Sequence, residues 1–230
     1  MYFQRLLFAT VLVALPEFLP GQQTIINVPS VDQTPRGRFF ALHETQLRTW
    51  NPKPYWVSTN FLTYGLTDRI ELAATIYNIG VPNKPYQAVA LGWKTAQPVL
   101  RSQLPGWEIT VGAGQMLPVS LTGKGDGLWN YAQVAWRLPV VRTRLMAGLS
   151  NGTRNLFGKR TTHMIASFEQ PLAGHWNLLG EWWSGTHDFA DFVPGLNYHW
   201  GTNVVIVGYK VSNIPGSTGD GLILEFGRTF

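Results

Sequence analysis

The sequence predicts an all-β chain, a transmembrane antiparallel up-and-down β-barrel of about twelve strands, with ten as the alternative count. Three observations carry that prediction. From Arg38 onward, short segments of alternating apolar and polar residues are separated by Gly, Pro, Asn and Asp, and no run of ten or more residues shows a helical period. Charge is scarce while aromatics are abundant: 45% of residues are hydrophobic and 13% charged, with 10 Trp, 8 Tyr and 12 Phe, against about 25% charged in an ordinary soluble domain. Mean hydropathy is nevertheless only -0.03, as expected if every second strand residue meets lipid and the next one faces the interior.

Met1 to Gln4 and Arg5 precede an apolar run, Leu6 to Leu15, which Pro16 breaks. This layout predicts a secretory signal over residues 1–21, cut after Gly21, and a single barrel domain over 22–230. The run is shorter than the ~20 apolar residues a spanning helix needs, and no later stretch reaches that length. There are no cysteines, which excludes disulfides, thiolate metal sites and a lipidated cysteine. The net charge of +5 comes from dispersed Lys and Arg, so no nucleic-acid partner is expected.

Twelve strands are expected near Phe39 to Thr49, Tyr55 to Tyr64, Arg69 to Tyr77, Gln87 to Lys94, Trp107 to Met116, Leu128 to Leu138, Thr143 to Ser150, Thr162 to Gln170, Asn177 to Ser184, Phe192 to Trp200, Val204 to Lys210 and Leu222 to Phe230. An even count puts both termini on the periplasmic side of an outer-membrane barrel, with short turns there and longer loops outside. Most links alternate in this way. Thr95 to Gly106 is long where a turn is expected, and Asn51 to Pro54 is short where a loop is expected.

Each strand separates into two chemical faces: Ile70, Leu72, Ala74 and Ile76 alternate with Glu71, Ala73 and Thr75. Trp93, Trp107, Trp136, Trp176 and Trp200 fall beside the short turns and are expected to form an interfacial girdle. A carboxylate aimed at lipid costs a few kcal/mol. Glu71, Glu108, Glu169, Glu181, Glu225 and Arg137 are therefore expected to line the lumen, as is Glu44. Glu71, Glu108 and Glu169 lie near the turns, where an open lumen would have a negative constriction. The glutamates either close a salt-bridge network inside a filled barrel or line a small aqueous pore.

Catalytic chemistry is not expected. Ser184, His187, Asp188 and Asp191 cluster in one loop, which reads as a polar loop tip, and His163 and Ser167 lie ~13 Å apart on one strand face, too far for proton transfer. Calcium held by Asp126, Asp188, Asp191 and Asp220 is conceivable, but no metal motif of recognisable spacing occurs, and no cofactor or metal is expected.

The last strand carries Leu222, Leu224, Phe226 and Phe230 at alternate positions and ends the chain on an aromatic residue. It resembles the C-terminal signal by which bacterial outer-membrane barrels are recognised for assembly, although Arg228 stands where an apolar residue is usual. The resemblance implies the barrel assembly machinery as a partner and the outer membrane, with its lipid and lipopolysaccharide, as the location. Val28-Pro29-Ser30-Val31-Asp32 with Pro35-Arg36-Gly37, followed by Tyr64-Gly65-Leu66-Thr67-Asp68-Arg69-Ile70-Glu71-Leu72, resembles a family of outer-membrane barrels linked to aromatic-compound degradation.

The function expected from the sequence is passive passage of small solutes or hydrophobic compounds across the outer membrane. A plugged structural or adhesive barrel and an outer-membrane lipid hydrolase are the rivals. Deleting Phe230, or replacing it with a charged residue, is expected to lower the yield of membrane-assembled, heat-modifiable barrel; unchanged yield would remove the terminal-signal reading.

Overall fold

The computed structural model describes residues 24–80, 88–100, 108–120 and 126–230. The twelve strands are β1 (Phe39–Arg48), β2 (Tyr55–Gly65), β3 (Ile70–Ile79), β4 (Ala88–Pro98), β5 (Glu108–Ser120), β6 (Trp129–Arg137), β7 (Arg144–Gly152), β8 (Thr162–Pro171), β9 (Trp176–Trp183), β10 (Asp191–Trp200), β11 (Asn203–Ser212) and β12 (Gly221–Thr229). Each pairs antiparallel with its sequence neighbours, and β1 pairs with β12 from Phe40↔Thr229 to Leu47↔Leu222, so the sheet closes into a barrel. Ten strands is thereby set aside. One helical turn, α1 (Arg154–Phe157), lies between β7 and β8.

At the end where β1 begins and β12 finishes, the links 66–69, 138–143, 172–175 and 201–202 are short. Gly201, at φ 56°, opens the two-residue hairpin between β10 and β11, a conformation that costs glycine little and other residues more. This is the turn end. The opposite, loop end carries 80–87, 121–128, 153–161, 184–190 and 213–220. Strand β4 runs four residues past Lys94, so the anomalous turn-end link spans 99–107, of which 101–107 lie outside the described residues. The signal segment 1–21 and Trp107 lie outside the described residues.

The faces follow the period of two. Leu72 is 43% exposed and Glu71 is 1% exposed. Exposed apolar side chains cover the outside, including Leu62, Ile76, Leu91, Leu149, Met164 and Val207, while the inward face mixes polar and small residues with buried apolar ones such as Phe40, Leu179 and Ile206. Aromatics bound this band near both ends. Near the turn end, Trp176 and Tyr198 have ring centroids 4.8 Å apart, Tyr198 and Trp200 5.8 Å, Trp200 and Phe226 6.2 Å, and Phe39 and Tyr64 4.8 Å. Trp136 keeps outward parity, and Trp93, also outward, sits opposite Leu72 and deeper in its strand than the sequence implied, because β4 is longer. Toward the loop end stand Trp50, Trp56, Trp182, Phe192 and Tyr209, all exposed. Trp50 donates Nε1–H to the Tyr209 hydroxyl at 2.6 Å.

Leu224, Phe226 and Phe230 are exposed on the outer face of β12, Leu222 shares their parity, and Arg228 lies over the Phe230 ring at 5.2 Å. A guanidinium on an aromatic face is a stabilising arrangement, which gives the one polar residue in that row a partner of its own.

Candidate luminal site and its N-terminal plug

The turn-end half of the lumen is filled by the chain preceding β1. Residues 24–36 enter beside Gly65, where Gly37 N–H donates to the Gly65 carbonyl at 2.8 Å and Gly65 N–H to the Arg38 carbonyl at 3.0 Å. The segment then runs up the interior to a tight turn in which Thr24 bridges Pro29 and Ile25 N–H donates to the Val28 carbonyl at 2.8 Å. Ile25, Ile26 and Val28 are at most 1% exposed, and Ile25, Ile26 and Val31 join Phe40, Leu42, Met146, Leu179, Ile206 and Ile223 from the wall in one core. The wall leaves room for it. A Cβ on Gly65 would lie 2.2 Å from the Pro35 carbonyl oxygen, and one on Gly208 would lie 3.2 Å from Ile26 Cδ1.

Charged latches hold this plug. The Glu181 carboxylate accepts the backbone N–H groups of Ile26, Asn27 and Val28 at 2.8 to 3.0 Å. Charge-assisted bonds to backbone N–H are the strong kind. Arg144 grips Asp32 with both terminal nitrogens, at 2.5 and 2.7 Å, and holds Glu169 at 2.6 Å. Thr34 N–H donates to Glu71 at 2.6 Å, while Glu71 also meets Lys94 at 3.5 Å. From β6, Gln133 Nε2–H reaches the Pro29 carbonyl at 2.8 Å. Burial alone would raise the Asp32 carboxyl, but the charge and hydrogen bonds of Arg144, aided by Lys94 and Arg137, outweigh it and hold it below the usual aspartate range.

The luminal residues named from the sequence therefore divide by partner. Glu71 and Glu169 have cations on the neighbouring strand, Lys94 and Arg144, and Glu181 holds the plug itself. Glu108 pairs with Arg137 at 3.4 Å at the turn-end rim, where both are partly exposed. Glu225 faces Glu44 directly across the β1–β12 ladder, and both are buried. The negative constriction expected from Glu71, Glu108 and Glu169 is corrected by these pairings, since each carries a cation. Lys94, Arg144, Lys210 and Asp32 escaped the sequence reading, although inward parity opposite a glutamate would have exposed Lys94 and Arg144.

Above the plug, a cavity of about 540 Å³ opens toward the loop end. Its floor includes Thr24, Asn27 and Pro29; one wall carries Glu44, Gln46, Arg48, Asp191 and Lys210, and another Trp129, Tyr131, Trp183 and Phe189. Lys210 meets Asp191 at 2.5 Å and donates to the Asp188 carbonyl at 2.9 Å. At the rim, His187 stacks edge-on with Phe157 at 4.7 Å and lies 4.3 Å from the His163 ring. Burial, then the neighbouring His163, pushes His187 down to about 4, so it is neutral near pH 7. Its Nε2–H donates to the Ser184 carbonyl, and the Ser184 hydroxyl instead accepts Met164 N–H. The loop cluster thus has no serine hydroxyl bonded to a histidine. Asp191 and Asp220 are bound to Lys210 and to Ser212 N–H, and among the described residues no group of three or more His, Asp or Glu could hold a metal.

The closed, twelve-stranded antiparallel meander is the fold of a porin-like barrel. No protein-family model and no curated protein matches the chain. Among solved structures it is similar to a "KdgM porin in complex with disordered oligogalacturonate", at a TM-score of 0.54 and 7% identity, covering 84% of this chain and 98% of that one. That similarity establishes the fold.

Asp32→Asn is expected to weaken docking of the plug by about 1.5–3 kcal/mol, the usual worth of a charged hydrogen bond, read as faster proteolysis or greater spin-label mobility within residues 24–36. A carboxyl depressed on docking stabilises the docked form at pH above its ordinary value of 3.8, and that contribution disappears as pH falls through the lower docked value. Mobility that is the same in the variant, and flat in the wild type down to pH 2, would contradict the latch.

Proposed function

We propose that this chain is a gated passage for small solutes or hydrophobic compounds in a bacterial outer membrane, with its loops outward and both termini periplasmic. The exposed apolar band with aromatics near both ends supports membrane residence. Arg154, Lys159 and Arg160, in the loop-end link 153–161, would face lipopolysaccharide phosphate, and β12 would engage the assembly machinery. One observation carries the gating: the outward cavity ends on Thr24, Asn27 and Pro29 of a tethered segment. A segment held to the wall by side-chain latches can leave; residues of the strands cannot.

With the plug withdrawn, Glu71, Glu108 and Glu169 would remain neutralised by Lys94, Arg137 and Arg144. Cation preference would then fall to Glu44, Glu181 and Glu225. The KdgM porin's ligand, oligogalacturonate, is an acidic oligomer, and the same inward carboxylates argue against carrying it over to this chain. A plugged structural barrel is the second reading, favoured by the completeness of the apolar packing around Ile25 and Ile26.

Planar-bilayer recording tests this. The wild type should show rare, small openings, and a variant lacking residues 22–36 should conduct steadily with a preference for cations. A truncated barrel that folds, judged by heat-modifiable mobility, yet never conducts would replace the passage with the structural reading.

A further inference from the structure

We propose that the loop-end cavity is a binding site for small amphipathic amines, molecules with an apolar body and one ammonium head, the head seated against Glu44. The inference builds on the passage proposed above, in which this cavity is the entrance. At about 540 Å³ it falls inside the range of about 300–1,000 Å³ usual for small-molecule sites. One side suits an apolar body. Ring centroids of Trp129 and Trp183 lie 5.7 Å apart, as do those of Trp129 and Tyr131 and those of Trp183 and Phe189.

The opposite wall decides the head group. Glu44 is 2% exposed; its Oε1 accepts Gln46 Nε2–H at 2.9 Å, its neighbours are otherwise the Thr59 hydroxyl and the Glu225 carboxyl, and among the described residues no cation forms an ion pair with it. Across the ladder stands Glu225, 3% exposed, its carboxyl against that of Glu44, with no cation paired to it among the described residues. The cations nearby are committed elsewhere. Lys210 is held by Asp191, Lys94 by Glu71, and Arg48 by the Gln46 side chain and the Gly219 carbonyl. Arg48 also lies four residues along the strand toward the loop end, ~13 Å from Glu44 in an extended chain. The deep pole of the cavity is therefore acidic, while at its mouth Arg48 and Lys210 are balanced by Asp188 and Asp191.

A buried carboxylate without a counter-charge is costly, and a bound cation relieves that cost where a neutral molecule does not. The ring faces of Trp129, Trp183 and Tyr131 favour a cation too. Two carboxyls in contact share one proton, so the Glu44–Glu225 pair keeps a single negative charge, which an anion entering the cavity would meet at Glu44. A water molecule could add a hydrogen bond to Glu44, yet it would leave the charge unmet.

Three probes of matched shape separate these cases: cyclohexylamine, cyclohexanol and cyclohexanecarboxylate, none of which absorbs where tryptophan does. Binding is read from tryptophan emission of the full chain in detergent micelles at pH 7, with calorimetry as a second readout. The amine should bind about tenfold or more tighter than the alcohol, as one desolvated ion pair allows, and the carboxylate weakest. Glu44→Gln should bring the amine to the affinity of the alcohol and leave the alcohol unchanged, with folding checked by heat-modifiable mobility. The wild-type order stands as a test even if that variant fails to fold. Equal affinity for amine and alcohol would mean that Glu44 carries a proton and would overturn the proposal, as would preference for the carboxylate or binding of none of the three. Because binding is measured without a membrane, a barrel that never conducts still shows the charge order if this inference holds. A conducting barrel without that order overturns this inference alone.

Discussion

Closure of the ladder between β1 and β12 is the constraint on which the remaining structure depends. A wall with an apolar outer face can leave no backbone N–H or C=O unpaired at its edges, because hydrocarbon offers no hydrogen bonds, and register pairing from Phe40↔Thr229 to Leu47↔Leu222 removes the last edge. Closing twelve strands has a cost in volume. Side chains fill a barrel of about eight strands, whereas wider ones enclose space. Here the turn-end half of that space is filled by residues 24–36 and the loop-end half is left as a cavity.

The same geometry dictates where charge goes. A carboxylate facing inward in the turn-end half is sealed from bulk water by the plug, so it needs a partner inside. Glu71 and Glu169 find theirs one strand away, at Lys94 and Arg144, in directly opposed register positions. Glu181 finds three backbone amides of the plug, and Asp32 brings a carboxylate to Arg144 from the plug side. Wall and plug are each incomplete alone. Each charged hydrogen bond is worth about 1.5–3 kcal/mol, so the latches together hold the plug and no single one decides docking.

Strand number, order and parity were legible in the sequence because each rests on a period of two repeated along the chain. Leu72 and Glu71 could be assigned to opposite faces from alternation alone. The plug was not legible, for Ile25, Ile26, Val28 and Val31 form no periodic run and stood between the predicted signal and the first strand without an assigned place. Their apolar character, with no strand to bury it, was the available signal. Glu181 could be turned inward by parity, but its partners are backbone amides of a distant segment, which no sequence pattern marks. The cavity gathers Glu44, Lys210, Trp129 and Trp183 from β1, β11, β6 and β9, and such a gathering exists only once the barrel has closed. Trp50 and Trp56 flank the short link 51–54, and their place at the loop end follows only from the closed order of strands.

That the segment before β1 is a docked part of the barrel interior is the central claim, and amide hydrogen exchange of the intact, folded chain in detergent tests it most directly. Backbone N–H groups of Ile26, Asn27, Val28 and Thr34, all donated to buried carboxylates, should be protected by about as much as mid-strand amides. Exchange of these four at the rate of an unstructured peptide, while the strands stay protected, would contradict it.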